Sequence, residues 1–243
     1  MPTEERTARS GRPRRVPDPD PGHSPREQIL EAAAALFVEN GFTATSTRAI
    51  AERVGIRQAS LYYHFSGKEE ILAELLTASV RPSLEVAPRL EALVPAAASA
   101  ASALYALVIV DTETLIKTAH NIAILWLLPE VQNERYDDFR LDRQELQQAY
   151  GRLGKAAASD PVRTKIPEEQ LGAILIHLTE LISQLRRSGE PDTAYTEVIA
   201  ATCLRACGLD TAAIATAAAE SKSLLSSAAM HATKESVDET EPE

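Results

Sequence analysis

The side chains of this sequence best suited to recognition chemistry lie between residues 47 and 68. Gln58, Ser60 and Tyr63, with Tyr62 beside them, belong to a short helical segment at 58–64. Small or amphipathic groups on the open face of such a helix can hydrogen-bond to base edges or to phosphate oxygens. Gln58, near the start of the segment, carries the donor and acceptor that match adenine N6 and N7. Thr47 and Ser60 offer hydroxyls to phosphate. Lys68 opens the next helix, where its charge and the unpaired amides of the helix start can hold one phosphate together.

The elements that must position these groups follow from the apolar residues between them. A helix-turn-helix needs a small residue where its helices approach, a glycine in the turn, and an apolar residue on the second helix facing the first. Ala51, Gly55 and Leu61 meet those needs at spacings of four and six. Ile50 and Val54 supply the inner side of the first helix, Leu61 and Phe65 that of the second. Hydroxyl residues before TRAIAERV can cap its start and Gly55 can stop it. Upstream, Ile29, Ala33, Leu36 and Phe37 form the stripe of an amphipathic helix that Gly41 ends.

Residues 45–72, TSTRAIAERVGIRQASLYYHFSGKEEIL, closely resemble the DNA-binding domain of the TetR family of bacterial one-component regulators. The resemblance is strongest over 25–76 and rests on the LYYHF run followed by Lys68. It implies a homodimer that binds a palindromic double-stranded DNA operator and is released by a small-molecule effector. It also implies a base or phosphate contact for Arg48, and roles in gripping the DNA backbone for Tyr62, Tyr63 and His64. Arg57 joins the DNA-contacting set, although it stands where many members carry a capping Ser or Thr, and Ala59 stands where many carry Gly. Beyond residue 80 the match is one of helix count and length.

Composition fits a helical regulator with a local contact surface. The chain has 25 Lys+Arg against 35 Asp+Glu and a formal charge of −10, which excludes a uniformly basic coat. Residues 1–24 hold five basic and four acidic residues, 25–70 five and six, and 71–231 fourteen and twenty, so the negative charge sits away from the first seventy positions. Aromatics are only 5% and glycines 10, while Ala and Leu fill the apolar positions, a balance that disfavours strands and favours helices. The fold class expected is all α, with a three-helix helix-turn-helix domain at 25–70 and a helical-bundle domain for effector binding and dimerisation at 71–229. A disordered Arg-rich arm at 1–24 and a disordered acidic tail at 230–243 complete the division. Further helices are expected near 98–118, 121–128, 134–159, 167–187, 193–208 and 211–229. Pro82, Pro88 and Pro95 should bend or restart the chain between the fourth helix and the fifth. Two cysteines, the lack of a secretory leader and apolar runs well short of about 20 residues point to a cytoplasmic protein with no membrane partner.

Leu171, Ile174, Leu175, Leu178, Leu181, Ile182 and Leu185 recur at alternating spacings of three and four, and Tyr195, Val198, Ile199, Thr202, Cys203 and Ala206 continue the pattern. Residues 168–207 are therefore expected to form the homodimer interface as a four-helix bundle with their copies. Cys203 and Cys207, four apart, read as buried thiols, and Gly151 and Gly154 as packing or kink positions. Ligand contacts are sought among polar residues in apolar helices. Asp111 interrupts LYALVIVDTETLI and needs a partner if buried. Arg140 and Arg143 are suitable, and Trp126, His120 and Asn121 could join them around a hydroxylated aromatic effector. No nucleophile, metal or cofactor constellation stands out, so the chain reads as a regulator rather than an enzyme. The reading is a ligand-responsive repressor. Its alternative is a ligand-independent DNA-binding protein, or an activator, of the same fold.

Overall fold

The computed structural model describes residues 23–94, 99–186, 189 and 194–238. Every regular element among them is helical. Residues 1–22 of the Arg-rich arm expected at 1–24, together with Pro95 and residues 239–243, lie outside the described residues.

Local signals set the first three helices. Helix α1 (Pro25–Asn40) starts from a capping box: the Ser24 hydroxyl accepts from the Glu27 amide, and the Glu27 carboxylate accepts from the Ser24 amide at 2.7 Å. Ser24 is thus the cap of α1, not the end of a tail. Helix α2 (Thr47–Val54) is capped by Ser46, whose hydroxyl accepts from the Ala49 amide. It ends at Gly55, whose φ of 79° and ψ of 22° lie in the left-handed region that glycine adopts without a Cβ penalty. Helix α3 (Gln58–His64) begins at Arg57 with no side-chain cap, the consequence of arginine at a position suited to a hydroxyl. Ile29, Phe37, Ile50, Ala51, Leu61 and Phe65 are buried together and fix the three helices to one another.

Helix α4 (Lys68–Leu93) joins this unit to the body. The sequence predicts a bend or restart at Pro82 and Pro88, but one helix passes through both. Both prolines are solvent-exposed, while Leu75, Leu76, Val80, Ala87 and Leu90 are buried along the other side. Packing of that face outweighs the loss of two ladder hydrogen bonds.

The body is built around α5 (Ala100–Lys117), buried from Ser102 to Val108 and packed by α4, by α6 (Asp137–Ala157), by α8 (Glu168–Arg186), by α9 (Ala194–Ala206) and by α10 (Thr211–Asp238). Short α7 (Asp160–Lys165) links α6 to α8. The helix expected at 121–128 is instead a 3₁₀ run, Ala119–Leu127, opened by His120 and Asn121 at φ 56° and 54°. Two shorter 3₁₀ pieces, Pro129–Gln132 and Glu134–Tyr136, lead into α6. The tail expected from residue 230 gives way to helix as far as Asp238. Ala, Ser, Lys and Glu dominate there, with no glycine or proline before Pro242, so local propensity carries α10 onward.

The tightest crossing is between α6 and α8. A Cβ on Gly172 would lie 2.5 Å from the Gln147 carbonyl oxygen and 2.9 Å from the Gly151 amide nitrogen. Gly151 is thus a packing residue, and its counterpart Gly172 carries no signal in the sequence beyond its type.

Candidate nucleic-acid interface and core of the body

The second helix of the helix-turn-helix presents its polar groups outward. Gln58, Ser60, Tyr62 and Tyr63 are exposed, and Tyr63 retains 87% of its accessible surface. Thr47, Gln58 and Tyr62 converge: the Gln58 side-chain amide donates to the Thr47 hydroxyl at 2.9 Å, and the Thr47 and Tyr62 hydroxyls lie 3.2 Å apart. This cluster bridges the start of α2 to α3 and holds Gln58 at the open surface. Tyr63 and His64 stack edge to face with centroids 5.3 Å apart. Arg48 is paired with Glu52 one turn along α2, but both side chains are mostly solvated. Such a pair holds little energy and can yield to a phosphate. Arg57 is exposed at the α3 start.

Lys68 departs from expectation. Its ammonium donates to the carbonyls of Phe42 (2.8 Å), Thr43 (3.2 Å) and Thr45 (2.9 Å) and sits 4.5 Å from the Phe42 ring centroid. All three ammonium protons have partners, so Lys68 stitches the α1–α2 turn to α4 instead of facing phosphate. The turn carbonyls attract it more strongly than a helix start, which repels a cation. Phe42 and Thr45 are buried here, and the Thr45 hydroxyl bonds to the Leu36 and Gly41 carbonyls.

The helix-turn-helix unit is tied to the body at several points. Arg26 pairs with Glu74 and stacks over Phe65, Thr43 donates to Glu130 at 2.6 Å, and α1 packs on the first 3₁₀ run. Glu70 accepts from the Ser66 amide at 2.6 Å and its hydroxyl at 2.7 Å, bonds that hold the carboxyl below its ordinary range.

The six residues proposed for a ligand do not share a pocket. Asp111, Trp126 and Arg143 line a cavity of about 30 Å³, room for a water or two and far below the roughly 300 Å³ of a typical ligand site. Asp111 is buried but makes no ion pair with Arg140 or Arg143. It accepts from the Ser83 hydroxyl and the Tyr150 hydroxyl, each at 2.8 Å. Burial pushes its carboxyl up to about 6, against the lowering effect of those bonds. Tyr150 is driven up in turn by burial and by the neighbouring Asp111.

Arg143 instead forks onto Glu180, donating at 2.7 to 3.0 Å, and lies 4.2 Å from the Trp126 ring centroid. Arg140 pairs with Asp137 and donates to the Val131 and Asn133 carbonyls, so it braces the turns before α6. Asn121 is buried and donates to the Ser183 carbonyl at 2.8 Å, while His120 is exposed. The missed partners Ser83, Tyr150 and Glu180 are distant in sequence from the residues they hold, and no local pattern marks them.

A larger cleft of about 890 Å³ runs between α5, α9 and α10 and includes none of the six. On α8 and α9 the apolar pattern splits. Leu171, Leu175, Ile182, Ile199 and Cys203 are buried in the chain's own core, whereas Ile174, Leu181, Tyr195 and Val198 are 43–58% exposed. Cys203 and Cys207 are buried free thiols, and burial raises both to about 12.

An outward polar helix on a helix-turn-helix, tied to a helical body with an exposed apolar face, defines the fold of a helix-turn-helix regulator. The family model "Bacterial regulatory proteins, tetR family" matches residues 29–75. The crystal structure of Mycobacterium smegmatis AmtR superimposes with a TM-score of 0.69 at 36% identity, covering 81% of this chain and 95% of that one. The repressor KstR2 of Mycobacterium tuberculosis (strain ATCC 25618 / H37Rv) is 52% identical over 54 residues, 22% of this chain and 27% of KstR2. The fatty acid metabolism regulator protein of Bacillus subtilis (strain 168) is 33% identical over 98 residues, 40% of this chain and 48% of that protein. The matches thus span between about a quarter and a half of these two curated relatives. The chain belongs to the TetR family of bacterial transcriptional regulators. Among its described residues no helix is long and apolar enough to cross a membrane.

Proposed function

We propose that this protein is a homodimeric transcriptional repressor that reads a palindromic operator through α3 and is released by a small-molecule effector. The observation that carries the reading is the open polar face of α3. Gln58 is steadied by Thr47 and Tyr62 over a buried apolar base, with Ser60 and Tyr63 beside it. In this proposal Gln58 contacts base edges, while Thr47, Arg48, Arg57, Ser60, Tyr62, Tyr63 and His64 serve the backbone. The exposed side chains Ile174, Leu181, Tyr195 and Val198 support dimerisation through 168–207, since a four-helix bundle with a second copy would bury them. Two recognition helices held at fixed spacing then read half-sites about one DNA turn apart.

For the effector we retain Asp111, Trp126 and Arg143. A ligand entering their cavity has to lift the Arg143 guanidinium from Trp126 and Glu180. The small size of that cavity favours a second reading, a repressor that needs no ligand. Effector titrations with and without DNA separate the two, because true coupling is reciprocal.

Selection of bound duplexes from a random pool, using the full chain, tests the DNA reading. The expected product is an inverted repeat. Gln58→Ala should lose about 1–3 kcal/mol of discrimination at one base pair per half-site. Enrichment of no symmetric sequence would overturn the proposal.

A further inference from the structure

The hydrogen bonds of the Gln58 side chain run one way. Its amide nitrogen donates to the Thr47 hydroxyl at 2.9 Å and lies 3.5 Å from the Tyr62 hydroxyl, a looser contact. Its carbonyl oxygen has no hydrogen-bond partner among the described residues, and the residue stands exposed at the surface. A primary amide offers donors on nitrogen and an acceptor on oxygen. In this fold the donor end is anchored and the acceptor end is left for a partner.

The anchor is fixed from two helices. Thr47 is the first residue of α2, directly after the Ser46 cap, and Ile50 and Ala51 bury the turn that follows. Tyr62 stands one turn beyond Gln58 on α3, beside the buried Leu61. The two hydroxyls lie 3.2 Å apart, so each helix contributes one wall of a single cradle. A phosphate would enforce the same polarity. Its oxygens only accept, so a hydroxyl that serves the DNA backbone directs its one proton there and has only lone pairs left for Gln58. Lone pairs take the amide N–H and not the carbonyl.

We infer that Thr47 and Tyr62 are positioning residues that set the polarity of base reading. They hold back the Gln58 nitrogen, so that Oε1 accepts from an exocyclic amino group in the major groove, adenine N6 or cytosine N4. Guanine and thymine present no donor there. The purine N7 goes unread, and the contact is to one atom instead of the paired N6 and N7 contact that glutamine can make with adenine. This inference rests on α3 as the operator-reading helix and adds which end of the Gln58 amide does the reading.

Binding of the full chain to a duplex enriched from a random pool tests the polarity, with base analogues placed at the pair whose preference Gln58→Ala abolishes. Replacing the amino-bearing base of that pair by its amino-free analogue, purine for adenine or pyrimidin-2-one for cytosine, should weaken binding about fivefold or more. The 7-deaza form of the pair's purine, which lacks N7, should bind within about twofold of the parent duplex. Gln58→Ala should bind parent and analogue duplexes equally. Thr47→Val should cut the ratio of affinities for parent and amino-free duplexes to about twofold or less, and Thr47→Ser should restore it. Tyr62→Phe should lower the ratio less, in keeping with its longer contact. Loss of a phosphate contact weakens both duplexes alike and leaves the ratio unchanged, so the ratio separates positioning from backbone contact. The inference is overturned if no pair loses its preference in Gln58→Ala, if N7 removal weakens binding as much as amino removal, if amino removal is tolerated, or if Thr47→Val keeps the full ratio. In each of those cases an enriched inverted repeat leaves the repressor reading standing, whereas failure to enrich any inverted repeat overturns both.

Discussion

Gln58 and Asp111 are both polar residues on helices, yet one stands at the surface with Thr47 and Tyr62, and the other is 3% exposed beneath Ser83 and Tyr150. The contrast extends to the arginines. Arg48 makes a solvated pair with Glu52, whereas Arg143 is clamped by Glu180 and Trp126 with only 16% of its side chain accessible. Gln58 and Arg48 in the helix-turn-helix are held in position but remain open to a partner, whereas Asp111 and Arg143 in the body are consumed by the fold. Substitutions should therefore affect recognition in one region and stability in the other.

The largest effect is expected at the α6–α8 crossing. Gly172→Leu places a side chain where even a Cβ meets backbone at 2.5 Å, and should cost more than about 3 kcal/mol in denaturant unfolding. An unchanged unfolding midpoint would mean that the two helices can move apart freely.

Asp111 gives the next effect, of about 3 kcal/mol, with a definite sign. Its carboxyl rises from the ordinary 3.8 to about 6 in the folded chain. Between those values the unfolded chain releases its proton first, so rising pH favours unfolding. The penalty is absent below about pH 4 and complete above about pH 6. Asp111→Asn removes the titration, so the stability difference between variant and parent should shift in the variant's favour from pH 4 to pH 7. A difference that stays constant across that range would contradict the buried-acid assignment.

The two arginines test the contrast directly. Arg143→Ala leaves Glu180 without its partner in a poorly solvated setting and should cost about 2–3 kcal/mol of stability. Arg48→Ala should cost less than about 0.5 kcal/mol but lower operator affinity, with the salt slope falling by about 0.9 if the contact is to phosphate. Equal stability losses at the two positions would erase the distinction between the regions.

Legibility in the sequence follows the same division. The helix-turn-helix could be read because its determinants are local: the Ser46 cap, the Gly55 stop, and Ala51 and Leu61 all fall within sixteen residues. Even there the Ser24–Glu27 capping box does not stand out in the sequence beside a proline-rich arm. In the body the decisive contacts are long-range. Ser83 and Tyr150 reach Asp111 from α4 and α6, and Gly172 meets Gly151 across two helices. Periodicity revealed apolar faces on α8 and α9, but not which positions serve the chain's own core and which stay exposed. Pro82 and Pro88 point locally to a break, but the cost of a proline is a local signal and the packing on the opposite face of α4 that outweighs it is not.

Lys68 offers the smallest and most discriminating test. From sequence it is a phosphate ligand at a helix start, but in the structure it donates to three carbonyls 23 to 26 positions upstream. These roles predict opposite outcomes for Lys68→Met, which keeps much of the aliphatic stem and removes the charge. If the carbonyl cage dominates, stability falls by about 1–2 kcal/mol, while the salt slope of operator binding stays that of the parent. If phosphate contact dominates, the slope drops by about 0.9 and stability holds. The first outcome is expected, since all three donors are engaged and a phosphate would have to compete with turn carbonyls already in place. Lys68 would then belong with the body's consumed polar groups although it lies within the DNA-binding motif, and the boundary between the two behaviours would run through the start of α4.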